Sequence, residues 1–309
     1  MKKAIPNLLF FIAVSVSLIC LASYFAKWHW SLDLLSHFRF QYLVILSIST
    51  GLLIFLKRKK AILFTPIVLL LLIEILPFYF GGKKVVSTED SVKLSSINLL
   101  SSNSAFSEVI AFVAATNPDI LVLQEYNGKW HTALSSISSN YPYQLAIPQE
   151  NNFGIAVFSK LPFSELKMVT MGSAQLPSIV GEFNLNGTKT TLIATHPLPP
   201  IGAEYANLRN NQLAAIAAFV QSNNHETILV GDLNTSSFSP HFKSLLKTTG
   251  LVDSRKGHGL QPTWPANITP LRVTLDHCLV SSRLLVKSRK IGERIGSDHL
   301  PIVVELGVN

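Results

Sequence analysis

The pattern of apolar and polar positions divides the chain into two textures. Up to about residue 80, apolar residues run almost unbroken in three stretches, from about Ile5 to Ala26, Phe38 to Leu56 and Ala61 to Phe80. Each approaches the ~20 apolar residues that a helix needs to cross ~30 Å of hydrocarbon, which predicts three transmembrane helices. Past Gly81-Gly82 the runs shorten and turn residues separate them. Val92–Asn98, Ile120–Gln124, Gly154–Ser159, Gly181–Leu185, Lys189–Thr195, Thr227–Val230, Leu275–Val280 and Ile302–Leu306 carry the Val/Ile/Leu content of buried strands. Phe106–Thr116, Ala203–Gln221 and Pro240–Thr248 are the predicted helices, and Leu208, Ala215, Ile216, Phe219 and Val220 form one face of the second. Asn186-Gly187 marks a hairpin. The expected architecture is an α+β or α/β sandwich of two sheets with helices outside, preceded by the membrane segment.

Two domains follow: residues 1–84 as an anchor and residues 85–309 as a catalytic unit. Lys2 and Lys3 ahead of the first stretch also suit a signal peptide, but no small-residue cleavage site follows cleanly and two further apolar stretches come after it. Lys2, Lys3 and the run Lys57, Arg58, Lys59, Lys60 lie on the cytoplasmic side by the positive-inside rule, which places everything after Phe80 outside the cytoplasm. Lys83 and Lys84 oppose that orientation weakly. Glu74, inside the third stretch with no basic partner assigned in the other two helices, has a helix-packing or interfacial role as its simplest reading and a transport relay as the alternative.

Charge removes one reading. The formal net charge is +8, and residues 1–84 carry all of it, ten Lys/Arg against Asp33 and Glu74. From Val85 onward, sixteen Lys/Arg balance sixteen Asp/Glu, so the basic character says nothing for polyanion binding by the catalytic unit. A local patch of Arg283, Lys287, Arg289, Lys290 and Arg294 stays open. Cys20 and Cys278 fall in different domains and make no disulfide framework.

The informative residues end or open the apolar strands, where a sheet edge presents them to a cleft. Asn98 closes the first strand, ILVLQE ends in Glu125, TLIATHP in His196, and ILVGDLN in Asp232 and Asn234. LDHCLV opens with Asp276 and His277, and IGSDHLPI presents Asp298 and His299 before the last strand. Singly, each has a plainer explanation: a strand-end hydrogen bonder, a surface charge, an Asx turn. His277 is read as structural. Trp264 stacks on substrate or packs under a loop; Arg209 clamps a phosphate or, more simply, lies on a solvated helix face; Phe238 and Phe242 are core or loop anchors.

The joint order Asn, Gln-Glu, Gly-Asp-x-Asn, Asp-His, Ser-Asp-His resembles the endonuclease/exonuclease/phosphatase superfamily, with its DNase I-like fold of two packed mixed sheets flanked by helices in four layers. THPLPP, GLQPTWP and GDLN with SFSPHF further resemble a bacterial subgroup carrying N-terminal membrane helices. The resemblance, spanning about Val92 to Leu306, implies a metal-dependent phosphoesterase. Glu125, Asn98 and Asp298 would bind Mg²⁺ or Mn²⁺; His299, oriented by Asp276, would act on the attacking water. Asp232 would position or deprotonate that water, Asn234 would hold it, and His196 would assist the phosphate or leaving group. Leu100 stands where some relatives have an acidic residue, which favours one metal over two. The implied partners are a phosphate-ester substrate, nucleic acid or lipid head group, and the bilayer; no protein partner is inferred. The alternatives are an inactive anchored scaffold of the same fold and, resting on Glu74 alone, a transporter with a soluble appendage.

Overall fold

The computed structural model describes residues 4–81 and 91–308. The expected domain boundary between residues 84 and 85, and Lys2, Lys3, Lys83 and Lys84, lie outside the described residues. The chain begins with α1 (Ala4–Ala22), which runs into a 3₁₀ turn at Ser23–Phe25, then α2 (Trp30–Ser36), α3 (Arg39–Phe55) and α4 (Thr65–Ile75). Two helical segments, Ala4–Phe25 and Lys59–Phe78, are long and apolar enough to cross a membrane; a third is reached only if α2 and α3, bent by 60°, count as one span. The third predicted stretch is not one uniform α-helix. Pro66 sits in the first turn of α4 and Pro77 follows its end, with 3₁₀ turns on either side, because proline lacks the N–H that a helix interior needs.

Glu74 does have a basic partner in another helix, contrary to the sequence expectation. Arg39, at the start of α3, places Nη1 3.4 Å from its Oε2, and Lys243 of the second domain reaches its Oε1 at 3.2 Å. The anchor packs against the rest of the molecule: Phe238 and Leu260 join the core formed by Leu46, Leu53, Leu71 and Ile75. Gly259 N–H donates to Phe78 O at 2.7 Å.

The second part runs β1 (Val92–Asn98), α5 (Phe106–Thr116), β2 (Ile120–Gln124), α6 (Gly128–Ala133), α7 (Ser135–Ser138), β3 (Tyr143–Ile147), β4 (Ile155–Ser159), β5 (Phe163–Thr170), β6 (Pro177–Leu185) and β7 (Thr188–Ala194). It continues with α8 (Ala203–Ser222), β8 (Glu226–Asp232), α9 (Pro240–Thr249), β9 (Val252–Asp253), β10 (Asp276–Val280), β11 (Leu284–Ile291) and β12 (Ile302–Val308). Two six-stranded mixed sheets form, in the orders β11-β12-β1-β2-β4-β3 and β5-β6-β7-β8-β10-β9. Successive side chains of a strand point to opposite faces, so each central strand feeds two cores. In β2, Ile120 and Val122 enter the core between the sheets while Leu121 and Leu123 pack outward with Val109, Phe112 and Trp130. In β7, Leu192 and Ala194 face the other sheet while Ile193 meets Leu213 and Ile216 of α8. Coverage on both sides is why these strands read as continuous apolar runs. The result is the expected four-layer sandwich, helices outside two packed sheets.

Topology brings the polar strand ends to one rim. β1 and β2 are parallel with Asn98 opposite Gln124, and β7 and β8 are parallel with Ala194 opposite Val230. β10 runs antiparallel to β8 and opens with Asp276 opposite Asp232. β12 is antiparallel to β1, with Ile302 opposite Ser96, so Asp298 and His299 precede it at the same end.

Candidate active site

Gly231 sets the geometry of the rim. Its φ is +142°, and a Cβ there would lie 2.0 Å from the Thr195 carbonyl oxygen, so the ends of β7 and β8 approach as only glycine permits. That closeness sets His196 beside Asp232. Gly231→Ala should lower stability by at least ~1–3 kcal/mol, the usual cost of overpacking, and take activity with it; a melting curve of the purified variant tests this.

Asp232 Oδ2 is the hub. Asn98 Nδ2 donates to it at 3.1 Å, His196 Nε2 lies at 3.4 Å and His299 Nε2 at 3.6 Å. Its other oxygen accepts the Asn234 N–H at 2.9 Å. Behind His299, Nδ1 meets Asp276 Oδ2 at 2.9 Å. Arg289 holds the Asp276 strand, donating to its carbonyl at 3.0 Å. Glu125 accepts from Asn98 Nδ2 at 3.1 Å and from Ser101 N–H at 2.9 Å. Both Glu125 (φ +55°) and Asn234 (φ +49°) hold left-handed backbone, which non-glycine residues adopt rarely and which such hydrogen bonds keep in place. Asn234 Nδ2 donates to Pro197 O at 2.9 Å.

Burial disfavours charge on His299, yet Asp276 and then Asp232 outweigh it and raise its pKa to about 10. Burial likewise works against charged His196, and Asp232 overrides it, raising that pKa. Burial opposes ionisation of Asp232, but the histidines and the Asn234 N–H pull its pKa down to about 2. The two imidazoles and the carboxylate thus favour one another's charged forms.

A cleft of about 250 Å³ holds Glu125, His196, Asp232, Asn234, Asp298 and His299 in its lining, so the structure brings these predicted residues together. Asn98 and Asp276 support it from behind through the contacts above. The Asn98 oxygen accepts the Leu100 N–H at 3.0 Å, and its NH₂ faces the carboxylates of Glu125 and Asp232. Trp264 Nε1–H donates to Asp298 Oδ2 at 2.9 Å, while Asp298 Oδ1 is buried without a partner. Asp232, Asp276 and His299 also offer donor atoms within 4.8 Å of one another. Two of these donors are engaged in the Asp276–His299 hydrogen bond, and both Glu125 oxygens accept hydrogen bonds, from Asn98 and Ser101; Asp298 Oδ1 and Asp276 Oδ1 are buried without a partner among the described residues.

One expectation fails on burial. Arg209 is neither on a solvated face nor a phosphate clamp: it is fully buried, with Nη2 2.6 Å from Asp33 of α2 and Nη1 donating to Asn234 O at 2.7 Å. Of the basic patch, Arg289 is buried and Arg283 lies 3.7 Å from Glu226, while Lys290 and Arg294 are exposed. His277 is buried too, its Nε2–H donating to Thr235 O at 2.8 Å, and burial lowers its pKa to about 3. Leu34 and His37 of the anchor also line the cleft; sequence reasoning missed them, as it missed Ser101 and Asp33, since no local motif marks them.

Among solved structures the chain is similar to TDP2 of D. rerio complexed with single-strand DNA product (16% identity, 71% of this chain and 100% of that one, TM-score 0.58). It is also similar to the human Nocturnin catalytic domain with bound sulfate (19%, 73% and 96%, 0.59) and to sphingomyelinase C from Streptomyces griseocarneus (19%, 70% and 99%, 0.51). At such identities the likeness is one of fold. Comparison with curated proteins finds no match. Residues 95–299 match the profile of the Endonuclease/Exonuclease/phosphatase family, and with two thirds of its length inside that match the chain belongs to this family.

Proposed function

We propose that the protein is a membrane-anchored, divalent-metal-dependent phosphoesterase with its catalytic domain outside the cytoplasm. The observation that carries this reading is the convergence on Asp232 Oδ2 of Asn98, His196 and His299, with Asp276 behind His299. Neighbours that include a TDP2 complexed with single-strand DNA product and a sphingomyelinase C suit a phosphate ester in such a cleft.

The donor set fits Mg²⁺ or Mn²⁺. Glu125 and Asp298 offer hard oxygen ligands, Asp298 Oδ1 has no other partner among the described residues, and the described lining of the cleft holds three carboxylates and no Lys or Arg. When bound, the ion would neutralise charge on the phosphoryl oxygens. The chain's own residues do the rest. A water held between Asp232 Oδ2 and the Asn234 side chain attacks phosphorus, and Asp232 takes its proton as the new P–O bond forms. His299, fixed at Nδ1 by Asp276 and with its pKa raised by Asp276 and Asp232, donates a hydrogen bond to a phosphoryl oxygen. As the ester P–O bond breaks, protonated His196 gives its proton to the leaving alkoxide.

The test uses the full-length protein in detergent, assayed on bis-p-nitrophenyl phosphate with Mg²⁺. Chelation by EDTA should abolish turnover and added Mg²⁺ or Mn²⁺ should restore it. Turnover that persists in EDTA would sink the metal-dependent reading.

The membrane part rests on the two segments of spanning length. It also rests on the placement of the polar contacts with the second domain, from Asp33, Gln41, Glu74 and Phe78, on the end of the bundle away from Lys57–Lys60.

A further inference from the structure

The catalytic cleft is not closed by the catalytic domain alone. Its wall includes Leu34, inside α2, and His37, which caps the end of α2 ahead of α3. His37 is 7% exposed, and its Nε2 is buried with no hydrogen-bond partner among the described residues. A buried, unpartnered imidazole nitrogen is costly unless something binds it. The same His37 lines a second cavity of about 130 Å³ in the seam between anchor and domain, where Phe40, Tyr79, Phe238, Leu260 and Val273 contribute apolar walls. The two spaces share that side chain as a common wall.

Apolar side chains at the cleft and on the loop that follows Trp264 are exposed. Ile201, at the cleft, is 70% exposed, and Ile268 and Leu271 are each 49% exposed. The loop bearing the last two is tied to the head of α3, where Gln41 Nε2 donates to Arg272 O at 2.8 Å. A nuclease would neutralise a phosphate backbone with Lys and Arg; no such residue lines the cleft, and residues 85–309 carry no net charge. An amphiphile with one phosphate and an alkyl body matches a polar pocket that adjoins an apolar seam beside spanning helices.

We infer that the substrate is a phosphate ester carried by a lipid, bound in the seam between anchor and catalytic domain, with His37 Nε2 hydrogen-bonding the ester and the alkyl body lying against Leu34 and Ile201. This inference deepens the phosphoesterase reading and rests on it. It makes His37 a substrate-contacting residue supplied by the anchor.

The experiment uses full-length protein in mixed detergent micelles with Mg²⁺. Four probes are compared: dioleoyl phosphatidylglycerol, dioleoyl phosphatidic acid, bis-p-nitrophenyl phosphate and a single-stranded oligodeoxynucleotide. At least one lipid should give a kcat/KM roughly tenfold or more above both soluble probes. His37→Ala should lower that lipid preference about tenfold, and His37→Asn, which keeps an N–H donor, should recover part of it. Ile201→Asp, at an exposed position that folding tolerates, should also lower it, mainly through KM. Preference for the oligonucleotide, or for the soluble diester over both lipids, overturns the inference and leaves the phosphoesterase reading standing. Hydrolysis of none of the four overturns both. An unaltered lipid preference in His37→Ala and Ile201→Asp overturns the assignment of the seam.

Discussion

Replacing Asp232 by Asn should lower kcat by roughly 10²–10⁴-fold, the range that general acid–base help contributes, while KM changes little and the protein stays folded. Asn is nearly isosteric, and Oδ1 would still accept the Asn234 N–H that now lies 2.9 Å away. What disappears is the anion that accepts the water's proton and holds His196 and His299 charged at 3.4 and 3.6 Å. An amide NH₂ placed at Oδ2 would also face Asn98 Nδ2, now 3.1 Å away, as donor against donor. Steady-state kinetics and a thermal melt on the same preparation decide the matter. Full turnover in D232N would remove Asp232 from the chemistry, and loss of the fold would make it structural. His299→Ala should fall in the same range for a different reason, since it deletes a hydrogen-bond donor to the phosphoryl oxygen.

The second large effect lies at Arg209, remote from the substrate. Arg209→Ala leaves Asp33 ionised and buried, and breaking a buried pair in this way costs on the order of 3–5 kcal/mol. The melting temperature should drop by on the order of ten degrees. Activity should fall as well, because Arg209 Nη1 also holds the carbonyl of Asn234 at 2.7 Å. The double change Asp33→Leu with Arg209→Met separates the two effects. Replacing both charges by apolar groups should recover much of the stability, yet kcat should stay low because nothing then fixes the Asn234 loop. A double variant with full activity would show that the bridge from anchor to catalytic loop is packing alone. Arg209 is thus a positioning residue.

Most of the central fold was legible in the residues. The eight predicted strands correspond to β1, β2, β4, β6, β7, β8, β10 and β12, all interior members of their sheets. The strands that escaped, β3, β5, β9 and β11, are the four edges. An edge strand is bonded on one side only and stays half in water, so it lacks the apolar run that marks a buried strand. β5, FSELKMVT, alternates between half-buried and exposed positions, and β11 carries a register shift between Val286 and Ser288. α2 escaped because its seven residues are too few for a period to show.

The site divides along similar lines. Asp232 with Asn234, and Asp298 with His299, were readable because a strand end and a tight turn lie together in sequence, and the Gly231 contact with Thr195 explains the glycine ahead of them. Asn98 and His299 could be read as candidates, but their separate duties could not: whether an amide shows a carboxylate its oxygen or its NH₂ is decided by a neighbour such as the Leu100 N–H.

The sequence by itself determined the two textures of the chain, the central strands and the polar residues at their ends, because hydrophobic periodicity and turn chemistry are local. Tertiary structure alone decided the pairings between residues far apart in the chain. Arg39 with Glu74, Asp33 with Arg209, and His37 against the cleft are separated by 35, 176 and more than 80 positions along the chain. A charge pairs with whatever folding brings within a few ångströms. No pattern along the chain records that the anchor supplies one wall of the active site.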